Sequence, residues 1–133
     1  MSKEEKANPT PSELEILQFL WKNGPSTVKQ IHEELEKTKV VVYTTTLKTM
    51  QVMYERGMLK REAQGRKHIY QAVIAEDETQ DVLLDRFLNK TFRGSALKLV
   101  MRALGNYDAT QSDLDQLKDY INDMEKNKTN END

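Results

Sequence analysis

The chain has 133 residues, 37% of them hydrophobic and 32% charged, with a formal net charge of −2; that suits one helical domain, or a compact module with an appended oligomerisation element. It contains no cysteine, which excludes disulfides, thiolate metal sites and cysteine catalysis together. No apolar run approaches the roughly 18–20 residues of a membrane span, and Met1 to Asn8 lacks the apolar stretch of a secretory signal, so a cytoplasmic setting is expected.

The elements follow in chain order. Thr10-Pro11-Ser12-Glu13 reads as a helix start, with Thr10 as cap, Pro11 at the first helical position and Glu13 three residues on. Leu14, Ile16, Leu17, Leu20 and Trp21 form an apolar stripe that ends at Asn23-Gly24-Pro25. Ser26 or Thr27 caps a second helix carrying Val28, Ile31 and Leu35. Residues Val40 to Thr46 are β-branched or aromatic and favour a strand by propensity. Tyr43, Thr46/Leu47, Met50, Met53 and Tyr54 nevertheless keep helical spacing up to Gly57, so a helix from about Val42 to Arg56 is expected. Met58 to Ala63 and Lys67 to Val73 read as strands joined by Gln64-Gly65-Arg66.

Three helices followed by a hairpin is the winged-helix order. From Glu76 onward the pattern turns helical again: about 77–92, then 95–104 after Gly94, then a last helix from Thr110 or Ser112 after Gly105-Asn106. The expected class is therefore mainly α: a winged helix-turn-helix domain over 9–75 with a small β-hairpin wing, then a C-terminal helical dimerisation region over 76–126. Residues 1–8 and 127–133 read as polar tails. The C-terminal helices hold few large apolar residues for a core of their own. Pairing with a second copy through Leu84, Phe87, Leu88, Leu114, Leu117, Ile121 and Met124 would bury their stripes.

The charge is unevenly placed. Residues 1–75 carry 12 Lys/Arg against 9 Asp/Glu, residues 76–133 carry 8 against 13, and within 37–75 the count is 8 to 2. Phosphate binding depends on where basic side chains cluster, not on the whole-chain balance. In a helix-turn-helix the second helix of the pair enters the major groove. Here it would present Tyr43, Thr44, Thr45 and Lys48, with Lys39 just upstream. Short hydroxyl side chains allow close approach, hydrogen-bond to base edges and offer a methyl to thymine. Thr46, on the inner stripe, suits packing instead. Gly65-Arg66-Lys67-His68 puts two fixed cations and a polar ring on the wing tip, where they can meet phosphates.

Catalysis has no support. The two histidines are His32 and His68; His32-Glu33-Glu34 looks like half a metalloprotease motif without its second His. Nothing matches a nucleophile elbow, and the five glycines are scattered. No enzyme activity, metal or cofactor is expected.

Several stretches together resemble the BlaI/MecI/CopY family of bacterial transcriptional repressors, the penicillinase repressor family, over about residues 9–125. They are Pro9 to Leu17 with Leu20-Trp21, Gly24 to Val28, Tyr43 to Leu47, Glu55 to Leu59 and Gly65 to Tyr70. The resemblance implies a homodimer that binds a palindromic operator in double-stranded DNA. It also implies, for the β-lactam branch, relief through a membrane sensor-protease pathway that ends in cleavage at an Asn-Phe bond. The matching stretch Leu99 to Leu104 lacks that pair, and the metal-binding cysteines of the copper branch are absent. The alternative from another class is a winged helix that docks proteins through Val40–Tyr43 and binds no operator.

Overall fold

The computed structural model describes residues 8–131. Helix α1 spans Pro11–Asn23. The Glu13 amide donates to Thr10 Oγ1 (3.2 Å) and the Thr10 amide donates to the Glu13 carboxylate (2.8 Å), a complete capping box behind Pro11. Helix α2, Val28–Glu36, starts with the same reciprocal pair between Thr27 and Gln30. Ser26, the other capping candidate, is used elsewhere. Its amide and carbonyl bridge those of Tyr70 at 3.0 and 2.8 Å, laying the α1–α2 connection beside the wing as a one-residue third strand.

Helix α3 covers Tyr43–Glu55, within one residue of expectation at each end. Strand propensity loses here because only a helix turns Thr46, Met50 and Met53 to one side, where all three are buried. Strands β1 (Leu59–Gln64) and β2 (Lys67–Ala72) pair antiparallel, with Gln64 opposite Lys67. The connection is thus two residues, Gly65-Arg66, and not the expected three. Gly65 has φ +64° while Arg66 does not enter the left-handed region, the pattern of a II′ hairpin turn.

A single apolar cluster joins these elements: Ile16, Leu17 and Leu20 from α1, Ile31 and Leu35 from α2, Met50 and Met53 from α3, with Met58, Leu59, Tyr70 and Ile74 around the wing. Polar links brace it as well. The Trp21 indole donates to the Ile74 carbonyl at 2.9 Å. Arg56, just past α3, donates to the buried Glu13 carboxylate at 3.2 Å, tying the start of α1 to the end of α3.

Helices α4 (Glu76–Phe92), α5 (Ala96–Asn106) and α6 (Gln111–Glu131) follow. The chain divides into two compact units after Phe87, inside α4. The reason is local: Thr79 is buried and Val82 packs on the first unit's core, so the start of α4 belongs to that unit. Two further corrections concern helix ends. Gly105 does not stop α5, which runs on to Asn106; one helical glycine costs only about 1 kcal/mol. Residues 127–131, read as tail, continue α6, since propagating a formed helix gains one hydrogen bond per residue fixed. The tail reading of 1–7 and 132–133 lies outside the described residues.

Leu17→Ala, at a side chain with no exposed surface, is expected to destabilise the protein by about 2–5 kcal/mol, measured by urea unfolding followed through Trp21 fluorescence.

Candidate nucleic-acid interface

Burial of one face of α3 dictates what the other presents. Thr46, Met50 and Met53 point into the core, so Thr44, Thr45, Lys48, Gln51 and Val52 face outward and are exposed, and Tyr43, on the inner stripe but at the helix start, is exposed in part. The ridge they form is flanked by two clefts. One, of about 540 Å³, lies between α2, α3 and the wing and is lined by Lys29, His32, Tyr43, Gln51, Arg66, Lys67 and His68, among others. The other, of about 510 Å³, lies between Thr10 and Ser12 at the start of α1 and Thr44, Thr45, Lys48 and Thr49 of α3. Short hydroxyls and a lysine therefore border one side of the ridge, and an aromatic ring, an amide and the wing cations border the other.

The expected site residues fall as follows. Thr44, Thr45 and Lys48 are exposed on α3, and Arg66, Lys67 and His68 are exposed at the wing tip; His68 also meets the Tyr70 ring edge-on. Lys48, Arg66 and Lys67 form no ion pair among the described residues, so their charge is open to an external anion. Tyr43 is only about half exposed, because its ring packs edge-on against His32 with centroids 5.4 Å apart. Lys39 is drawn back: its Nζ sits 3.1 Å from Glu15 of α1.

That last contact changes the electrostatic picture. Of the basic residues in 37–75, Lys37 pairs with Glu34 (2.8 Å), Lys39 with Glu15 and Arg56 with Glu13. Lys37, hydrogen-bonded to the Glu34 carboxylate, is held above the usual lysine range, and Glu34 below the usual carboxylate range for the same reason. Arg61 lies over the Tyr54 ring, 4.0 Å from its centroid. The local excess of +6 counted from sequence is thus partly neutralised by carboxylates that belong to earlier helices.

His32 lies inside the fold and not at the exposed face. Its ring is buried between Thr46, Glu36 and Tyr43, and no group of three or more potential metal-binding side chains exists among the described residues. Sequence reading missed Gln51 and Lys29. Gln51 continues the outward face of α3 three residues beyond Lys48 and could have been found by extending the helical period. Lys29 lies on another helix, and no local signal points to it.

The comparisons with known proteins agree with this architecture. The sequence pattern of the family described as "Penicillinase repressor" matches residues 9–123. The chain is 24% identical to a penicillinase repressor of Staphylococcus aureus over 86% of this chain and 91% of that one. It is 27% identical to a penicillinase repressor of Bacillus licheniformis, over 80% and 83% of the two chains. It is 24% identical to the transcriptional regulator BlaI of Mycobacterium tuberculosis, over 74% and 72%. Among solved structures, a transcriptional regulator from Thermotoga maritima superposes with a TM-score of 0.52 at 20% identity, covering 90% of this chain and 79% of that one. At that identity the likeness speaks for the fold alone.

At the wing tip, a Cβ on Gly65 would meet no atom within 4 Å, so the cost of Gly65→Ala is backbone strain alone. It is expected to be about 1–2 kcal/mol, seen as faster amide exchange across β1–β2 with α1–α3 little changed.

Proposed function

The chain belongs to the penicillinase repressor family, and from that premise we propose that it represses transcription as a homodimer seated on a palindromic operator. It acts in the cytoplasm and by binding, not catalysis. The observation that carries the reading is the outward face of α3, a hydroxyl-bearing ridge with an unpaired lysine, standing beside a wing whose two cations are also unpaired. Such a ridge fits a major groove, where threonine hydroxyls and methyls and a lysine or glutamine can meet base edges. The wing cations suit the neighbouring phosphates, which hold a protein in register without reading sequence.

Dimerisation is drawn from the apolar side chains that the later helices leave in solvent. Leu84 and Phe87 on α4 and Leu117, Ile121 and Met124 on α6 are each about a third to a half exposed, while Leu88 and Leu114 are half-buried. A second copy offers the same stripes, and an isologous pairing buries both sets at once. Two reading heads then address half-sites about one helical turn apart, roughly 34–36 Å along the duplex. Release by proteolysis, through a sensor-protease of the kind the family resemblance implies, would act by separating the heads from the dimerising helices. Leu99 to Leu104 lies inside α5, and nicking favours exposed loop tips over helices.

A second reading, a protein-docking module without duplex binding, draws on Val40, fully exposed, and Val42, 62% exposed, just ahead of α3. A gel-shift with the DNA upstream of the protein's own gene separates the two. A shifted, competitor-resistant complex supports the repressor; no complex at moderate salt favours the docking module.

Lys48→Ala is expected to weaken operator binding by about 1–3 kcal/mol and relax base preference. Arg66→Ala and Lys67→Ala should weaken all duplexes alike and lower the salt slope by about one unit per lost phosphate contact. Unchanged affinities and slopes in fluorescence-anisotropy titrations would remove the contact assignment. Leu117→Asp with Ile121→Asp should give monomers in sedimentation and poor operator affinity. A variant that sediments as a dimer would move the interface elsewhere.

A further inference from the structure

We propose that His32 is a positioning residue for sequence recognition: from inside the protein it holds the reading end of α3 in register with α2. The inference rests on the DNA-binding reading above and adds a determinant that never touches DNA. Three observations carry it.

The first is that the reading end has no cap. Both α1 and α2 begin with complete capping boxes, whereas Val42, at the cap position of α3, offers no side-chain hydrogen bond. A helix start left without such a partner lacks a local device that fixes its first turn.

The second is that His32 replaces that device from across the interface. Its Nε2 lies 3.0 Å from Glu36 Oε1 on its own helix and its Nδ1 lies 2.9 Å from Thr46 Oγ1, one turn into α3. An ionised carboxylate only accepts, so Nε2 carries the proton toward Glu36. In the neutral ring Nδ1 then accepts the Thr46 hydroxyl. Both nitrogens are satisfied, which a buried imidazole requires.

The third is the ring contact. The His32 ring meets Tyr43, the first residue of α3, edge-on at an interplanar angle of 82°. One side chain thereby grips α3 at its first and fourth residues. Ile31 and Leu35 of α2 share the apolar core with Met50 of α3, and apolar contacts tolerate small slides. A hydrogen bond of fixed length does not. Recognition geometry must hold within about 0.5 Å to be productive, so a link that sets α3's position bears on base preference more than on phosphate binding.

The test uses duplexes selected by the wild-type protein from a random-sequence library. It reads the ratio of affinities for a selected and a scrambled duplex at one salt concentration. His32→Leu should lower that ratio about five- to tenfold, the loss expected for one or two net hydrogen bonds, with scrambled-duplex affinity nearly unchanged. Thr46→Val should lower it similarly, and the double variant should fall little further. His32→Asn, whose amide replaces Nδ1, should restore most of the ratio, whereas His32→Gln, whose amide replaces Nε2, should not. In the free protein, Thr46→Val should speed amide exchange at Tyr43–Thr46 and leave β1–β2 unaffected; this variant decides the matter if His32→Leu does not fold. A wild-type ratio in Thr46→Val, or equal behaviour of the Asn and Gln variants, overturns the proposal while the DNA-binding reading stands. A wild-type protein that selects no duplex overturns both, and that is seen before any variant is measured.

Discussion

The burial of Thr46, Met50 and Met53 is the constraint on which the rest of the first unit depends. Thr46 is 1% exposed and the two methionines not at all. That burial makes a helix of a segment whose β-branched composition suits a strand, and it decides which residues of that helix meet solvent. Around it the molecule places polar ties: Glu13 to Arg56 at one end of α3, and His32 to Thr46 near the other. Apolar contacts supply most of the stabilisation. The polar ties confine the pose, because a buried donor or acceptor left without its partner costs about 1–3 kcal/mol.

The wing is fixed with comparable economy. Two antiparallel strands alone are marginal in water. Here Ser26 adds one bridge to β2, and Tyr70, 1% exposed, plugs the hairpin into the helical core while its hydroxyl accepts from Arg61 at 3.4 Å. The strand ends near the core are therefore held and the Gly65-Arg66 tip projects. A flat, firmly rooted hairpin with its cations at the far end suits contact with a backbone outside the protein.

Charge is distributed by function as well as by number. Carboxylates from α1 and α2 pair with Lys37, Lys39 and Arg56, so the lysines and arginines of 37–75 left without an ion pair or ring contact among the described residues are Lys48, Lys60, Arg66 and Lys67. Few phosphate contacts give a modest, salt-sensitive, sequence-independent affinity. In the proposed dimer, discrimination would come from geometry at α3 and from pairing two heads, which multiplies weak contacts without adding new ones. The acidic excess of residues 76–133 makes the remaining helices poor partners for phosphate.

By itself the sequence determined the elements and most of their ends. The Thr10 capping box, the apolar stripes at helical spacing and the glycine at the wing turn are all local patterns, and local backbone chemistry reads them directly; the choice of Thr27 over Ser26 as the second cap came from the structure. The outward placing of Thr44, Thr45 and Lys48 also followed from periodicity, once α3 was taken as a helix; Tyr43 shares the stripe of Met50 and keeps partial exposure as the first residue of the helix. Tertiary structure alone decided the matters that depend on residues far apart in the chain: that Lys39 is claimed by Glu15, that the buried His32 ring meets Thr46 and Tyr43 of α3, that Lys29 borders the same cleft as the wing, and that the start of α4 joins the first unit through Thr79 and Val82. Each of these turns on which side chains the folded core brings within a few ångströms, and hydrogen bonds and ion pairs fall off too steeply with distance for spacing along the chain to reveal them.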